Sequence, residues 1–243
     1  MKKLNINTMR ETNMKKILAT VFASLFAFTV NTASADISGL AVGVSLTHNS
    51  LDTTVKDDID SDGTINTTKA LEDSVLAGSI FAEFTFVGSG PLAVTIGVDY
   101  IPVDADLDKR STTQSSLKAV GDGVATSGTN TGKASIDDHF TYYIQPGYLM
   151  SENTMFYGTL GYSSADVTAT WESVSSTNTK KVQSMSGTKM GVGFKHLTDN
   201  GILLKLDYSQ TDYDKVSYTT SNSTKVTGDI DNTAIALSIG KSF

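Results

Sequence analysis

The last segment of the chain constrains its fold most, because its residues alternate in polarity with a period of two. Within residues 233–243, one face carries Ile235, Leu237, Ile239 and Phe243, with Lys241 as its only polar member. Alanine, serine and glycine occupy the other face. A period of two places these sets on opposite sides of a sheet. The second set is too small and polar to form the apolar half of a soluble core, so the first set is the one suited to lipid.

Seven other segments alternate in the same way. They are residues 37–48, 75–87, 92–102, 139–150, 154–168, 187–197 and 202–213. Each is close to the roughly 9–11 residues that a tilted transmembrane strand requires. The faces opposite the apolar ones are rich in glycine, alanine, serine and threonine, which fit the crowded interior of a barrel of about eight strands. The pattern predicts an all-β fold, an eight-stranded antiparallel up-and-down transmembrane barrel closed by pairing 37–48 with 233–243.

The connections between these segments alternate in length. Residues 88–91, 151–153 and 198–201 are tight turns, whereas 49–74, 103–138, 169–186 and 214–231 are long polar stretches. Short periplasmic turns and long extracellular loops are typical of outer-membrane barrels. A soluble lipocalin-like barrel is the structural alternative, but it would turn its apolar face inward. Pro146 and Gly147 interrupt one strand and predict a bulge there.

Aromatic residues fall at both ends of the predicted strands. Near the short turns lie Phe84, Phe86, Tyr148, Phe156, Phe194 and Phe243; nearer the long loops lie Tyr100, Phe140, Tyr142 and Tyr208. Two aromatic belts are characteristic of a protein that crosses two membrane interfaces.

Residues 1–35 read as a cleaved signal peptide with a functional start at Met14. Two lysines follow Met14, then fourteen mostly apolar residues, then the small-residue cleavage site Ala33-Ser34-Ala35. The apolar run is shorter than the about 20 residues of a membrane-spanning helix. The mature domain is therefore expected at 36–243.

Charge narrows the classes of partner. Removing residues 1–35 takes away five of the nineteen basic residues and one of the twenty-six acids, so the mature chain has a net charge of −11. This argues against nucleic acid as a partner. The chain has no cysteine and three histidines, His48, His139 and His196, and no zinc-type or nucleophile–base spacing. No enzyme and no cofactor are expected.

The chain resembles the small OmpA/OmpX-like outer-membrane barrels, the outer membrane protein β-barrel domain group. The segments that carry the resemblance are residues 143–148, 155–162, 191–200, 204–213 and 238–243. It implies an outer-membrane location in a Gram-negative bacterium, contact with membrane lipid, and a monomer. Phe243, as a terminal aromatic residue, resembles the sorting signal that the barrel-assembly machinery reads. Lys241 departs from the pattern, because an apolar residue is common at that place.

Six charged residues fall on the faces predicted to line the lumen. They are Glu83, Asp99, Lys189, Lys195, Lys205 and Asp207. Charges inside a narrow barrel must pair, because an unpaired buried charge is costly. The set therefore indicates either a static ion-pair plug or a narrow gated pore. The sequence leaves the register open: Lys195 would lie opposite Asp207 in one register and opposite Lys205 in another.

The first long connection contains a run of acids that resembles the start of a calcium loop. Asp58, Asp60 and Asp62 occupy positions 1, 3 and 5, and Gly63 follows. Lys69 stands where the twelfth-position glutamate is expected, so the run predicts at most a weak calcium site, with a solvated acidic loop as the alternative.

These observations predict an integral outer-membrane barrel with a structural or narrow porin-like role. The alternative is a surface adhesin or receptor that acts through its long acidic loops, with calcium as a candidate requirement.

Overall fold

The computed structural model describes residues 36–58, 61–102, 105–114, 128–172, 177–219 and 225–243. In these residues the chain forms ten strands and no helix long and apolar enough to cross a membrane. The strands are β1 (Gly39–Asp58), β2 (Thr67–Val87), β3 (Leu92–Ile101), β4 (Ala105–Gln114), β5 (Gly128–Ser151), β6 (Thr154–Glu172), β7 (Thr177–Leu197), β8 (Ile202–Tyr213), β9 (Val216–Thr219) and β10 (Lys225–Ser242).

The sheet closes into an eight-stranded antiparallel barrel, as predicted. Neighbours follow one another in chain order, and β1 pairs with β10 from Ala41↔Ser242 upward. The two extra strands are continuations: β4 follows β3 along the same partner, β5, and β9 follows β8 along β10. Closure satisfies the backbone groups that an open sheet edge would expose to lipid.

The register fixes how far the strands tilt. A row of paired residues that begins at Phe84 in β2 crosses every strand and returns to β2 at Ser74, ten residues earlier. With a rise of about 3.3 Å per residue and about 4.8 Å between strands, this stagger tilts the strands by roughly 40° from the barrel axis. Each residue then advances about 2.5 Å along that axis.

The prediction of a bulge at Pro146 and Gly147 is wrong. The β5–β6 ladder has the same register at Ile144↔Leu160 and at Gly147↔Tyr157, and Val94 pairs with Pro146 from the other side. Proline lacks an amide proton but fits the extended backbone, so it removes one ladder bond without shifting the strand. The irregularities of this ladder lie at Asp137/Phe140 and at Leu149/Ser151.

An apolar band surrounds the outer surface of the barrel. Its side chains are large and exposed, and its aromatic members lie at the positions expected from the sequence, including Phe84, Phe86, Tyr142, Tyr148, Phe156, Tyr208 and Phe243. Tyr162 joins the upper belt. At the lower rim, Lys241 donates through Nζ to the Asn200 carbonyl oxygen at 2.6 Å. Its charge therefore reaches the periplasmic turn while its stem stays against apolar surface.

The strands continue well beyond the upper aromatic belt. His48 of β1 lies at the top of the belt, two paired positions from Tyr208 through Ile235, and β1 ends ten residues later at Asp58. At about 2.5 Å per residue, this part rises roughly 25 Å above the belt. In the described residues the long connections are thus largely strand, and Gly128 and Gly132 lie in β5.

We call this part of the chain the platform; it comprises residues 50–58, 67–75, 105–114, 128–137, 166–172, 177–185, 216–219 and 225–232. Here the barrel separates into two four-stranded sheets, β9-β10-β1-β2 and β4-β5-β6-β7. One separation begins at Pro102, which ends β3, and the other after Asp214, whose amide donates to the Ser186 carbonyl oxygen at 2.6 Å.

The polarity of the two wall faces reverses at the platform. Its interior holds an apolar cluster drawn from both sheets and from the top of β8: Leu51, Ala165, Met185, Tyr213 and Ile230, with Val75, Ile136, Val167 and Val216 against it. Outward-facing positions carry acids such as Asp52 and Asp231. The platform is therefore built as a water-exposed sandwich on top of a lipid-exposed barrel.

Candidate functional site: the lumenal charge network

Glu83 of β2 is the centre of the polar lumen. It is 2% exposed. Its Oε1 atom lies 2.8 Å from Lys195 Nζ, and its Oε2 atom lies 2.6 Å from Lys205 Nζ. Tyr143 donates its hydroxyl to Oε2 at 2.9 Å. One carboxylate thus joins strands β2, β5, β7 and β8 across the barrel. These close contacts allow the carboxylate and the two ammonium groups to remain ionised in a narrow interior.

Lys195 is held by hydroxyl groups as well as by Glu83. Its Nζ atom donates to Thr95 Oγ1 at 2.8 Å and to Thr85 Oγ1 at 3.4 Å, and these two hydroxyls lie 2.9 Å apart. Lys195 is fully buried. Its three donor positions are therefore satisfied without water.

Aromatic rings surround Lys205. Its Nζ atom lies 4.9 Å from the centroid of Phe81, 5.3 Å from that of Tyr143 and 5.8 Å from that of Tyr157. Ring faces are negative, so they stabilise the ammonium group at these distances. The rings lie across the lumen because their neighbours are glycines: a Cβ atom at Gly97 would collide with the Tyr143 ring, and one at Gly193 with the Tyr157 ring.

The other two lumenal acids take hydroxyl partners. Asp207 accepts from Tyr157 Oη at 2.7 Å, and Asp99 accepts from Ser79 Oγ at 2.7 Å. Among the described residues, neither forms an ion pair with a lysine, and Lys189 is likewise without one. The structure brings Glu83, Lys195 and Lys205 together and leaves Asp99, Lys189 and Asp207 as a second, looser group.

The register explains this division. Lys195 lies directly opposite Lys205, and Asp207 lies opposite Gly193. The two lysines face each other across one rung, so a carboxylate must lie between them, and Glu83 reaches there from the other side of the barrel.

A small cavity of about 60 Å³ lies within the looser group. Asp99, Lys189, Lys205, Asp207 and Gln145 contribute to its wall. Gln145 is 3% exposed; its Nε2 atom donates to Thr159 Oγ1 at 3.2 Å, and its Oε1 atom has no partner among the described residues. Sequence reasoning missed Gln145, Tyr143 and Tyr157, although all three occupy lumen-facing positions of the alternating pattern.

Apolar clusters lie at both ends of the charge network. On the periplasmic side, Ile37, Ala93, Met155 and Tyr157 pack together, and Ala41, Phe81, Leu197 and Leu203 form a second layer. On the opposite side, His139 Nε2 and Tyr213 Oη lie 2.8 Å apart beneath the apolar cluster of the platform. In the described residues the lumen is thus filled by apolar side chains on the periplasmic side, by the charge network in the middle and by the apolar cluster of the platform on the opposite side.

The calcium site predicted at Asp58, Asp60 and Asp62 stays a prediction, because Asp60 lies outside the described residues. Asp58 accepts backbone amides from Asp62 at 3.1 Å and Gly63 at 3.0 Å, so both of its oxygens already cap the turn. The Thr64 amide donates to Asp62 Oδ1 at 2.8 Å and lowers the pKa of that carboxyl. The part of the chain that is described presents no group of three or more acids, histidines or cysteines arranged around a metal position.

The histidines lie in three different strands. His139 contacts Tyr213, and Thr154 Oγ1 lies 2.9 Å from His196 Nδ1. His139 and His196 therefore each have a hydroxyl partner.

Comparisons with known proteins identify the family. The sequence profile described as outer membrane protein beta-barrel domain matches residues 20–243, so the chain belongs to this family and is a β-barrel of the Gram-negative outer membrane. No curated protein matches the chain in sequence.

Several solved structures are similar to the chain at low sequence identity. The outer membrane protein OprG from Pseudomonas aeruginosa is 15% identical, with 86% of this chain and 98% of that chain covered and a TM-score of 0.49. Ail, the attachment invasion locus protein of Yersinia pestis, is 13% identical over 82% and 99%, with a TM-score of 0.36. The outer membrane protease OmpT from Escherichia coli is 8% identical over 89% and 99%, with a TM-score of 0.41.

Proposed function

We propose that this member of the family is a structural outer-membrane barrel whose lumen is closed at rest, and which holds the platform above the outer face of the membrane. The observation that carries the proposal is the filling of the lumen: an apolar cluster at each end with the Glu83–Lys195–Lys205 network between them. An eight-stranded barrel has an interior that side chains can fill.

Within the described residues, apolar clusters interrupt the polar route through the lumen at both of its ends. A solute would need to displace Met155 and Leu197 on one side and the Tyr213 cluster on the other. Each displacement would uncover buried apolar surface, and separating Glu83 from a lysine would leave a buried charge unpaired. The narrow-pore role therefore requires a rearrangement, while a structural role requires none.

Planar-bilayer recording tests this proposal. We expect no discrete channels from the folded protein, and small channels from Met155→Gly or Tyr213→Ala, which thin the two seals. Phe156→Ala, on the lipid-facing side of β6, is the matched control. Regular single-channel events from the native chain, altered by Glu83→Ala, would instead establish a pore.

Surface binding is the second candidate function, and the platform favours it. Above the upper belt the described residues form two paired sheets around a shared apolar cluster, rather than loose loops. Strands that are already paired and packed need little further ordering on binding, so they present a surface at little entropic cost. Loss of cell or ligand binding when residues 50–58 and 67–75 are replaced by a short turn, with the barrel still folded, would support this role.

We also propose that the chain is a monomer in contact with membrane lipid, that the barrel-assembly machinery recognises its terminal strand through Phe243, and that it performs no catalysis. The position of Phe243 supports recognition by the assembly machinery. Its amide donates to the Leu40 carbonyl oxygen at 2.8 Å and so completes the ladder that closes the barrel. The absence of catalysis is supported by the partners of His139 and His196, which are the Tyr213 and Thr154 hydroxyls.

A further inference from the structure

In the described residues, one edge of the platform has no strand paired with it. Strand β2 pairs with β1 along Thr67–Thr85, but it pairs with β3 only from Ile80 onward. Beyond Pro102 the chain continues as β4, which follows β5 and not β2. In the described residues, the upper part of β2 therefore has a ladder on one side alone.

Two hydrogen bonds show which amides point toward that edge. The Ser74 amide donates to Asp73 Oδ1 at 2.9 Å, and the Gly88 amide donates to the Leu92 carbonyl oxygen on the β3 side at 2.9 Å. Amides alternate in direction along a strand, so even-numbered residues of β2 point away from β1. Thr68, Ala70 and Glu72 thus present a run of donors and acceptors that matches an added strand, with the Ser74 amide already capped.

A row of acids leads to the same edge. Glu72 lies opposite Asp52, Asp52 opposite Asp231, and Asp231 opposite Asp212. All four side chains are exposed on the outward face. Like charges placed directly opposite each other repel, so the row is stabilised when a cation arrives at its end. A strand added to β2 would place its own side chain next to Glu72.

We propose that the Thr68–Glu72 edge of β2 docks an extended polypeptide segment containing lysine or arginine, which adds to the platform as a further strand. The proposal deepens the surface-binding role and rests on it. Main-chain hydrogen bonds supply the affinity in such strand addition, and side-chain contacts supply the selectivity. Here the selectivity is electrostatic and excludes polyanions.

The opposing explanation is that the acids protect the edge. Natural sheets often blunt free edges with charged residues, and Asp73 already removes one amide from use. Protection and docking differ in one respect: a protected edge repels every strand, whereas a docking edge accepts a basic one through its backbone.

The experiment measures binding of synthetic peptides to the full-length protein in lipid vesicles. The probe is a twelve-residue peptide of alternating lysine and threonine, compared with a glutamate–threonine peptide and with a lysine–threonine peptide N-methylated at every residue, which leaves neither of its edges able to donate. Ala70→Pro removes one edge-facing amide while leaving the β1 ladder intact, because proline is tolerated where its missing amide faces outward. Ala70→Val is the matched control.

We expect the lysine–threonine peptide to bind, with at least a tenfold loss in Ala70→Pro, no loss in Ala70→Val, and a severalfold loss in Glu72→Gln that disappears at high salt. The glutamate and N-methylated peptides should not bind. Equal binding of the N-methylated peptide, which is independent of any folding defect in Ala70→Pro, would show that charge alone holds the probe and would overturn the proposal. So would absence of binding to every peptide. If cell binding still depended on the platform, the surface role would stand and only the edge would be excluded.

Discussion

Replacing Lys205 with methionine tests whether the lumenal charges stabilise the barrel as a set. Methionine keeps most of the side-chain volume, so the change isolates the charge. Glu83 would lose the ammonium group at 2.6 Å but would keep Lys195 at 2.8 Å and the Tyr143 hydroxyl at 2.9 Å. Breaking a buried ion pair costs about 3–5 kcal/mol. Because two partners remain, we expect a loss in the free energy of unfolding near the lower end, about 3 kcal/mol.

Glu83→Gln should cost more than Lys205→Met. It would leave two buried ammonium groups, Lys195 and Lys205, facing each other on the same rung with no carboxylate between them. The expected loss is about 4–5 kcal/mol. In the double variant, the second change removes a charge that the first has already stranded, so the combined loss should fall short of the sum by roughly 2–3 kcal/mol.

Reversible urea unfolding in lipid vesicles measures these values, with far-UV circular dichroism and electrophoretic mobility as readouts of the folded barrel. Asp207→Asn combined with Lys205→Met is the internal control, because Asp207 is bonded to Tyr157 and forms no ion pair with Lys205 in the described structure. We expect a smaller coupling for that pair. Additive losses for Glu83 with Lys205 would refute the argument that the three charges act together.

Three further outcomes follow from the structure. Desolvation, and then the neighbouring Asp212, Asp229 and Asp52, raise the pKa of Asp231. The folded protein therefore binds a proton at Asp231 more tightly than the unfolded chain, so the free energy of unfolding should rise as pH falls through the folded pKa. In urea titrations at low salt, Asp231→Asn should abolish this rise and add, after solvent screening, a few tenths of a kcal/mol. Gly97→Ala should cost about 1–3 kcal/mol in the same assay, because its Cβ atom meets the Tyr143 ring, whereas Gly78→Ala, whose Cβ atom meets little, should not. Deleting Phe243 should lower the yield of assembled barrel in cells, as measured by heat-modifiable mobility; an unchanged yield would remove the role assigned to the terminal residue.

Sequence periodicity was sufficient for the part of the barrel that crosses the membrane. In segments such as 92–102 and 233–243 one face meets lipid and the other a narrow lumen, so the two faces must differ strongly in polarity and the period of two is plain. The same contrast assigns Glu83, Lys195 and Lys205 to the lumen from the sequence alone. It also predicted the closing pair, which the Ala41↔Ser242 register confirms.

The alternation of polarity did not predict the strands of the platform, because the two faces of these strands differ little in polarity. Residues 49–74 and 214–231 were expected in loops, yet most of them belong to β1, β2, β9 and β10. Their outward face meets water and their inward face meets a small mixed core around Leu51 and Ile230. Polar residues therefore stand on both faces, and the alternation weakens although the backbone remains extended.

The sequence by itself determined which side chains face the lumen, and the tertiary structure alone decided which of them meet. A period of two specifies a face but says nothing about the position along the neighbouring strand. Both registers considered for Lys195 were compatible with the same alternation, and the closed barrel selected the one that sets it opposite Lys205. Glu83 reaches both lysines only because closure and stagger bring β2 across the lumen from β7 and β8, a contact between residues more than one hundred positions apart in the chain.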